Sequence, residues 1–166
     1  FPSMIRAFIK ASGDLRESAF YHGFTPPMAL PTLRGTPSAR SSPMGQITLL
    51  LAIHNHQPDG NFDEVFAAGY DDCYSRILGA LEAAPHVRMS LHHTGPLIEW
   101  IEEKRPGYFG RMRALVERGQ VEVLGGAFYE PMLAILPERD ARGQIRMMAD
   151  WAERAMGVRP EGMWLA

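Results

Sequence analysis

The sequence predicts an α/β fold in which parallel strands are joined by helical crossovers. Short apolar runs of strand length recur along the chain, and between them apolar residues return at helical spacing. The runs also end in polar or glycine-containing stretches, which is how α/β proteins place functional groups on loops at one end of a sheet.

Taken in order, Ile47-Thr48-Leu49-Leu50-Leu51-Ala52-Ile53 is continuously apolar, as expected for a parallel strand covered on both faces. Residues 61–66 show no clear period. Tyr70, Cys73, Tyr74, Ile77, Leu78 and Leu81 then form a helical stripe that ends before Pro85. Val87 to Leu91 reads as a second strand. Thr94 is placed to cap a helix with Pro96 in its first turn, carrying Leu97, Ile98, Trp100 and Ile101. Another helix opens at Pro106, shows Tyr108, Met112, Leu115 and Val116 on one face, and stops at Gly119. Gln120 to Leu124 is the third strand. Ile145, Met148, Ala149, Ala152 and Met156 make a further helical stripe closed by Gly157, and Gly162 to Ala166 reads as a fourth strand. The order β-α-β-α-α-β-α-β requires a parallel sheet, open or rolled into a barrel. Four strands cannot close a barrel, and no helix follows the last, so the chain reads as cut off within a domain.

Composition narrows the class of function. The 166 residues are 46% hydrophobic and 22% charged with a net charge of −2, the balance of one ordinary globular domain. Nucleic acid or an anionic membrane as main partner would favour a basic excess that is not there. Cys73 is the single cysteine, so no intrachain disulfide forms and a reducing, cytoplasmic setting fits. No stretch approaches the roughly 18 apolar residues of a membrane span.

Residues 1–45 differ from the remainder. They hold Pro2, Pro26, Pro27, Pro31, Pro37 and Pro43, and their charge is positive, from Arg6, Lys10, Arg16, Arg34 and Arg40 against Asp14 and Glu17. Thr32 to Pro43 has almost nothing to bury, and a disordered leader is expected. No apolar core of a secretory signal is present, whereas a basic, Ser-rich transit peptide stays open. The chain starts at Phe1, and Met44 is the favoured initiator, which leaves residues 46–166 as the folded portion.

The residues able to carry chemistry cluster after the strands. His54-Asn55-His56-Gln57-Pro58 follows the first, and if the extended path continues His54 and His56 point to one side. Neutral imidazoles both donate and accept, which suits recognition of sugar hydroxyls. Alternatively the pair ligates a metal with His92 or His93 as a third ligand, or the stretch is a capped turn with incidental histidines. Recognition is preferred to metal binding because no carboxylate sits at tight ligand spacing. Glu130 lies beyond Leu124-Gly125-Gly126-Ala127-Phe128-Tyr129, where small residues permit an unusual backbone path and deliver an acid onto a loop. Trp164, near the end of the fourth strand, either fills a barrel or offers a platform for the apolar face of a sugar. Trp100, Trp151 and the helical methionines are expected in the core, and Glu99, Glu102 and Glu103 on a solvated face.

Four segments together resemble glycoside hydrolase family 57. They are Ile53-His54-Asn55-His56-Gln57-Pro58-Asp59-Gly60-Asn61-Phe62, His92-His93-Thr94-Gly95-Pro96-Leu97-Ile98-Glu99-Trp100, Leu124-Gly125-Gly126-Ala127-Phe128-Tyr129-Glu130-Pro131 and Gly162-Met163-Trp164-Leu165-Ala166. The likeness runs from Ile47 to Ala166 and is nearest to 4-α-glucanotransferase and α-amylase-like members. The resemblance implies a (β/α)7 barrel, of which this chain is the N-terminal part, acting on α-1,4-glucans with retention of configuration. It implies that His54 and His56 line the donor-sugar subsite and that Glu130 hydrogen-bonds sugar hydroxyls there. Trp164 matches the tryptophan of a Trp-Leu-Ala/Thr-Glu segment whose Glu is the nucleophile, expected directly after Ala166, with the acid/base Asp further on. His93 and Ala127 stand where the family usually has another aromatic and, often, a glycine.

The expected function is therefore part of a retaining α-glucan hydrolase or transferase, with no catalytic residue inside the chain, no metal and no cofactor. The alternatives are a metal-dependent polysaccharide deacetylase-like barrel using His54, His56 and a later histidine, and a non-catalytic carbohydrate-binding module.

Overall fold

The computed structural model describes residues 4–11 and 47–165, with side chains from Leu49 onward. Strands β1 (Met4–Ala11), β2 (Ile47–Asn55), β3 (Met89–His93) and β4 (Val121–Val123) form one sheet in that order. β2, β3 and β4 run parallel. Sequence reading placed no element at Met4–Ala11. Its expectation of a disordered leader for the rest of residues 1–45, and of a start at Met44, falls outside the described residues.

Helical crossovers join the parallel strands as the periodicities require. Helix α1 (Asp63–Gly69), a π-helical turn (Tyr70–Tyr74) and α2 (Ser75–Ala83) lead from β2 to β3. Helices α3 (Gly95–Lys104) and α4 (Gly107–Glu117) lead from β3 to β4. After β4 come a 3-10 turn (Leu133–Ile135) and the long helix α5 (Glu138–Met156), which stops at Gly157. Each crossover adds the next strand at the same edge. Growth in one direction, without the reversal of a doubly wound sheet, is the topology of a barrel wall.

The expected fourth strand shrinks to one parallel bridge between Gly125 and Met163. Gly162 O accepts from Gly125 N at 2.9 Å, and Trp164 N donates to Gly125 O at 2.8 Å. β4 has already ended at Val123, so only this short ladder is available to the segment among the described residues.

The core lies between sheet and helices. Ile53, Leu91, Val121 and Val123 of the strands meet Leu78, Leu97, Ile98, Ile101, Met112, Leu115, Met148 and Met156 of the helices. Trp100 and Trp151 join them, and Tyr108, Phe109 and Trp151 pack edge to face at 5.1 and 5.0 Å. One expectation needs correction. Leu49 and Leu50 are 55% and 53% exposed, so β2 is not covered on both faces along its length; no described helix lies over its first half. Glu99, Glu102 and Glu103 are exposed as expected, and Glu102 accepts from the Trp151 indole at 3.0 Å and Glu99 from the Tyr129 hydroxyl at 3.1 Å.

Candidate functional site

The parallel register of β2 and β3 sets His54 beside His92 and Asn55 beside His93. Because strand side chains alternate, these pairs fall on opposite faces. On one face the Asn55 amide donates to His93 Nε2 at 3.0 Å, and the Tyr108 hydroxyl lies 2.8 Å from the same nitrogen. Nε2 therefore accepts, and the ring is neutral. Burial, helped by the neighbouring His92 and His54, pushes the His93 pKa down to about 3. This face is a buried strut.

The other face carries the constellation. His54 Nδ1 and His92 Nδ1 lie 2.8 Å apart. His56 Nδ1 donates to Glu130 Oε2 at 2.6 Å, across 74 positions of sequence. The second carboxylate oxygen, Oε1, sits 3.4 Å from His54 Nε2 and 3.6 Å from His92 Nδ1, and it is buried without a well-aligned hydrogen bond. The Trp164 indole stacks on His54 with ring centroids 4.5 Å apart and planes 6° from parallel. Burial by itself would raise the Glu130 carboxyl, but contact with His54 and His56, and with His92, outweighs it and holds the pKa down at about 2. Burial pushes His92 the other way for a base, to about 4, with His54 adding to the fall. The site is thus an anionic carboxylate among imidazoles, walled on one side by an indole.

Local backbone features make this arrangement. The stretch after β2 is tied to α3 by a reciprocal pair: Gln57 N donates to Thr94 Oγ1 at 3.1 Å, and Thr94 Oγ1 donates to Gln57 O at 3.0 Å. Thr94 does stand at the N-cap of α3, yet its hydroxyl serves this loop and makes no cap bond. Tyr74, turned inward by the π-helical turn, accepts from Gln57 Nε2 at 3.0 Å and donates to His56 O at 3.2 Å. Gly126 permits close approach: a Cβ there would lie 2.7 Å from His92 Nε2 and 3.1 Å from Trp164 O. Glu130 has φ 49, a left-handed conformation that a residue with a Cβ seldom takes.

The structure brings His54, His56, Glu130 and Trp164 together at or just past the carboxyl ends of the strands; His54 and Asn55 still belong to β2, which runs two residues beyond the expected Ile53. From the sequence His92, following a strand, could face the same site, ligate a metal or cap the helix beginning at Thr94; the structure puts it, fully buried, in contact with His54. The signal was the parallel register, since a histidine ending β2 meets one ending β3. Donor atoms of His54, His92 and Glu130 lie within 4.8 Å of one another, so a metal would find its ligands there. His56 is not in that set, and its Nδ1 is engaged by Glu130 Oε2. The deacetylase-like alternative is corrected accordingly.

Parallel strands in sequential order, with a polar cluster at their carboxyl ends, define a segment of an α/β barrel. The profile of glycosyl hydrolase family 57 matches residues 50–166, and the chain belongs to that family. The α-amylase of Pyrococcus furiosus is 46% identical over 120 residues, covering 72% of this chain and 18% of its own length. The 4-α-glucanotransferase of Thermococcus litoralis is 43% identical over 122 residues, covering 74% of this chain and 18% of its own. The crystal structure of that transferase superposes with a TM-score of 0.67 at 45% identity, over 69% of this chain and 18% of the other. A family 57 branching enzyme from Thermococcus kodakaraensis, 17% identical, shares the fold with a TM-score of 0.58 over 69% of this chain. The fold is thus a portion of the (β/α)7 barrel, and the chain spans 18% of the length of these curated relatives.

Proposed function

We propose that the protein containing this segment is a retaining glycoside hydrolase or 4-α-glucanotransferase acting on α-1,4-glucans, and that His54, His56, Glu130 and Trp164 form a wall of its donor-sugar subsite. The observation that carries this is the 2.6 Å His56–Glu130 contact beside the indole stacked on His54. A carboxylate and imidazoles read hydroxyls, while an aromatic face accepts the C–H face of a pyranose. A retaining mechanism needs two carboxyl groups about 5–5.5 Å apart, one nucleophile and one acid/base. Glu130 cannot be both. By the family pattern the nucleophile follows Ala166 directly and the acid/base comes later, so this segment supplies binding and those residues supply bond cleavage.

The test is to incubate the full-length protein with maltoheptaose and resolve the products. Shorter products alone indicate hydrolysis, and shorter together with longer ones indicate transfer. No change in chain length with a well-folded protein retires the proposal, and binding without turnover would favour the non-catalytic module.

The cluster of His54, His92 and Glu130 favours one second reading, a metal-dependent deacetylase-like site. Stoichiometric zinc in the purified protein, with activity on acetylated polysaccharide that chelation abolishes, would replace the first reading by this one. Among the described residues no helix is long and apolar enough to cross a membrane. With Cys73 the single cysteine, we place the protein in the cytoplasm, with glucan as its partner and no role for nucleic acid. Cell fractionation tests the location.

A further inference from the structure

We propose that His92 is a positioning residue: it fixes His54 in the tautomer that carries its proton on Nε2, so that His54 presents an N–H donor to a substrate hydroxyl beside the Glu130 carboxylate. This deepens the sugar-subsite reading and rests on it.

The 2.8 Å separation of His54 Nδ1 and His92 Nδ1 requires a proton on one of the two nitrogens. His92 is wholly buried, and its Nε2 has no hydrogen-bond partner among the described residues. The backbone of Gly126 closes over that nitrogen, where a Cβ would come within 2.7 Å. If His92 Nδ1 were bare, the ring's proton would sit on Nε2 as a buried N–H with no acceptor. An orphaned donor of this kind is rarer and costlier than an unused lone pair. The proton therefore lies on His92 Nδ1 and is donated to His54 Nδ1.

His54 then carries its own proton on Nε2, the nitrogen 3.4 Å from Glu130 Oε1. That carboxylate oxygen is buried and has no hydrogen-bond partner among the described residues. A sugar hydroxyl entering here accepts from Nε2–H, beside the negative charge of the carboxylate. In the opposite tautomer a bare Nε2 would face the carboxylate. The site would then offer two acceptors and no donor. Trp164, stacked on His54, holds the ring plane but cannot choose between its nitrogens.

The test uses the full-length protein. In His92→Asn the side-chain amide keeps an N–H close to the position of Nδ1, whereas His92→Leu removes the donor at similar volume. On maltoheptaose we expect kcat/KM to fall on the order of tenfold in His92→Leu, with KM raised, and most of it to return in His92→Asn at unchanged Tm. Equal activity of His92→Leu and wild type, or an Asn variant no better than Leu when both are folded, overturns the proposal. Imidazole nitrogen shifts of ring-15N-histidine protein give a reading that needs no variant and no turnover. A protonated Nδ1 and bare Nε2 on His92 support the proposal, and a protonated Nε2 overturns it. If wild type leaves glucan unchanged, the sugar-subsite reading fails, while the tautomer result stands by itself.

Discussion

Glu130 is held in an unfavourable backbone conformation, φ 49, which costs about 1–3 kcal/mol for a residue with a Cβ. Contacts from His54 and His56 to its carboxylate oppose that strain. The strain places the carboxylate among the imidazoles, where charged hydrogen bonds to sugar hydroxyls can form. Glu130→Gln in the full-length protein should keep the fold and lower kcat/KM on maltooligosaccharides by about 10- to 150-fold, the equivalent of about 1.5–3 kcal/mol. Unchanged kcat/KM with unchanged stability would take Glu130 out of the site. Gly126 is the second sensitive residue. A methyl group there presses on His92 Nε2 and on the Trp164 carbonyl, the latter a backbone atom that yields little. Gly126→Ala should cost about 1–3 kcal/mol in urea unfolding and lower activity as well. A variant as stable and active as wild type would show that His92 can shift freely.

At the scale of elements, the helical stretch from Asp63 to Ala83 owes its usefulness to the π-helical turn in its middle. An extra residue in one turn rotates the helix that follows, so Phe66 and Leu78 face the core while Tyr74 also reaches the loop after β2. Tyr74→Phe removes the acceptor of the buried Gln57 amide and the donor to His56 O. The expected outcome is a loss of about 1–3 kcal/mol and a raised KM, because His56 is the group bonded to Glu130. A lowered Tm with kinetics unchanged would limit Tyr74 to a structural role. The other end of the same helix is closed by Gln120, whose amide donates to Leu81 O at 2.6 Å and Ala84 O at 3.0 Å. One side chain entering β4 thus ties the end of the first crossover to the sheet.

For the whole molecule, the buried histidines predict acid sensitivity. His92 and His93 titrate at about 4 and about 3 when folded, against 6.5 when free. Between these values the unfolded chain binds protons that the folded chain refuses, so stability is full above about pH 6.5 and falls as pH drops through this window. Glu130, lowered from 4.5 to about 2, adds a loss in the same direction between those two values. Urea midpoints should be level above about pH 7 and decline steadily below about pH 6. A midpoint that holds level down to about pH 4 would mean the histidines are already charged in the folded state. His93→Phe should flatten part of the decline. It should also lower stability at neutral pH, because the buried Tyr108 hydroxyl loses its acceptor. Phe62, Met132, Ile135 and Leu165 are 74%, 62%, 72% and 69% exposed, apolar surface in a chain that spans 18% of its relatives' length.

Between Ile47 and Gly157 the type and order of the strands and of the longer helices followed from the sequence by itself, because a period of two or of 3.6 is a local property of the chain. The crossover helices stand where their stripes placed them, and Trp100, Trp151, Met112, Met148 and Met156 are buried as their spacing required. The His-x-His pair, the glycines and Glu130 were legible as residues at strand ends, and their combination pointed to the family. The π-helical turn was not, because one inserted residue leaves no mark in so short a stripe. Nor was the extent of the last strand, which depends on which backbone lies beside it. Thr94 stands where a cap was expected, but its hydroxyl bonds to Gln57 from 37 positions away. The site itself is the clearest case. His54 meets His92 across 38 positions and His56 meets Glu130 across 74. Such contacts are set by strand register and by the space beside Gly126, and no spacing along the chain encodes either.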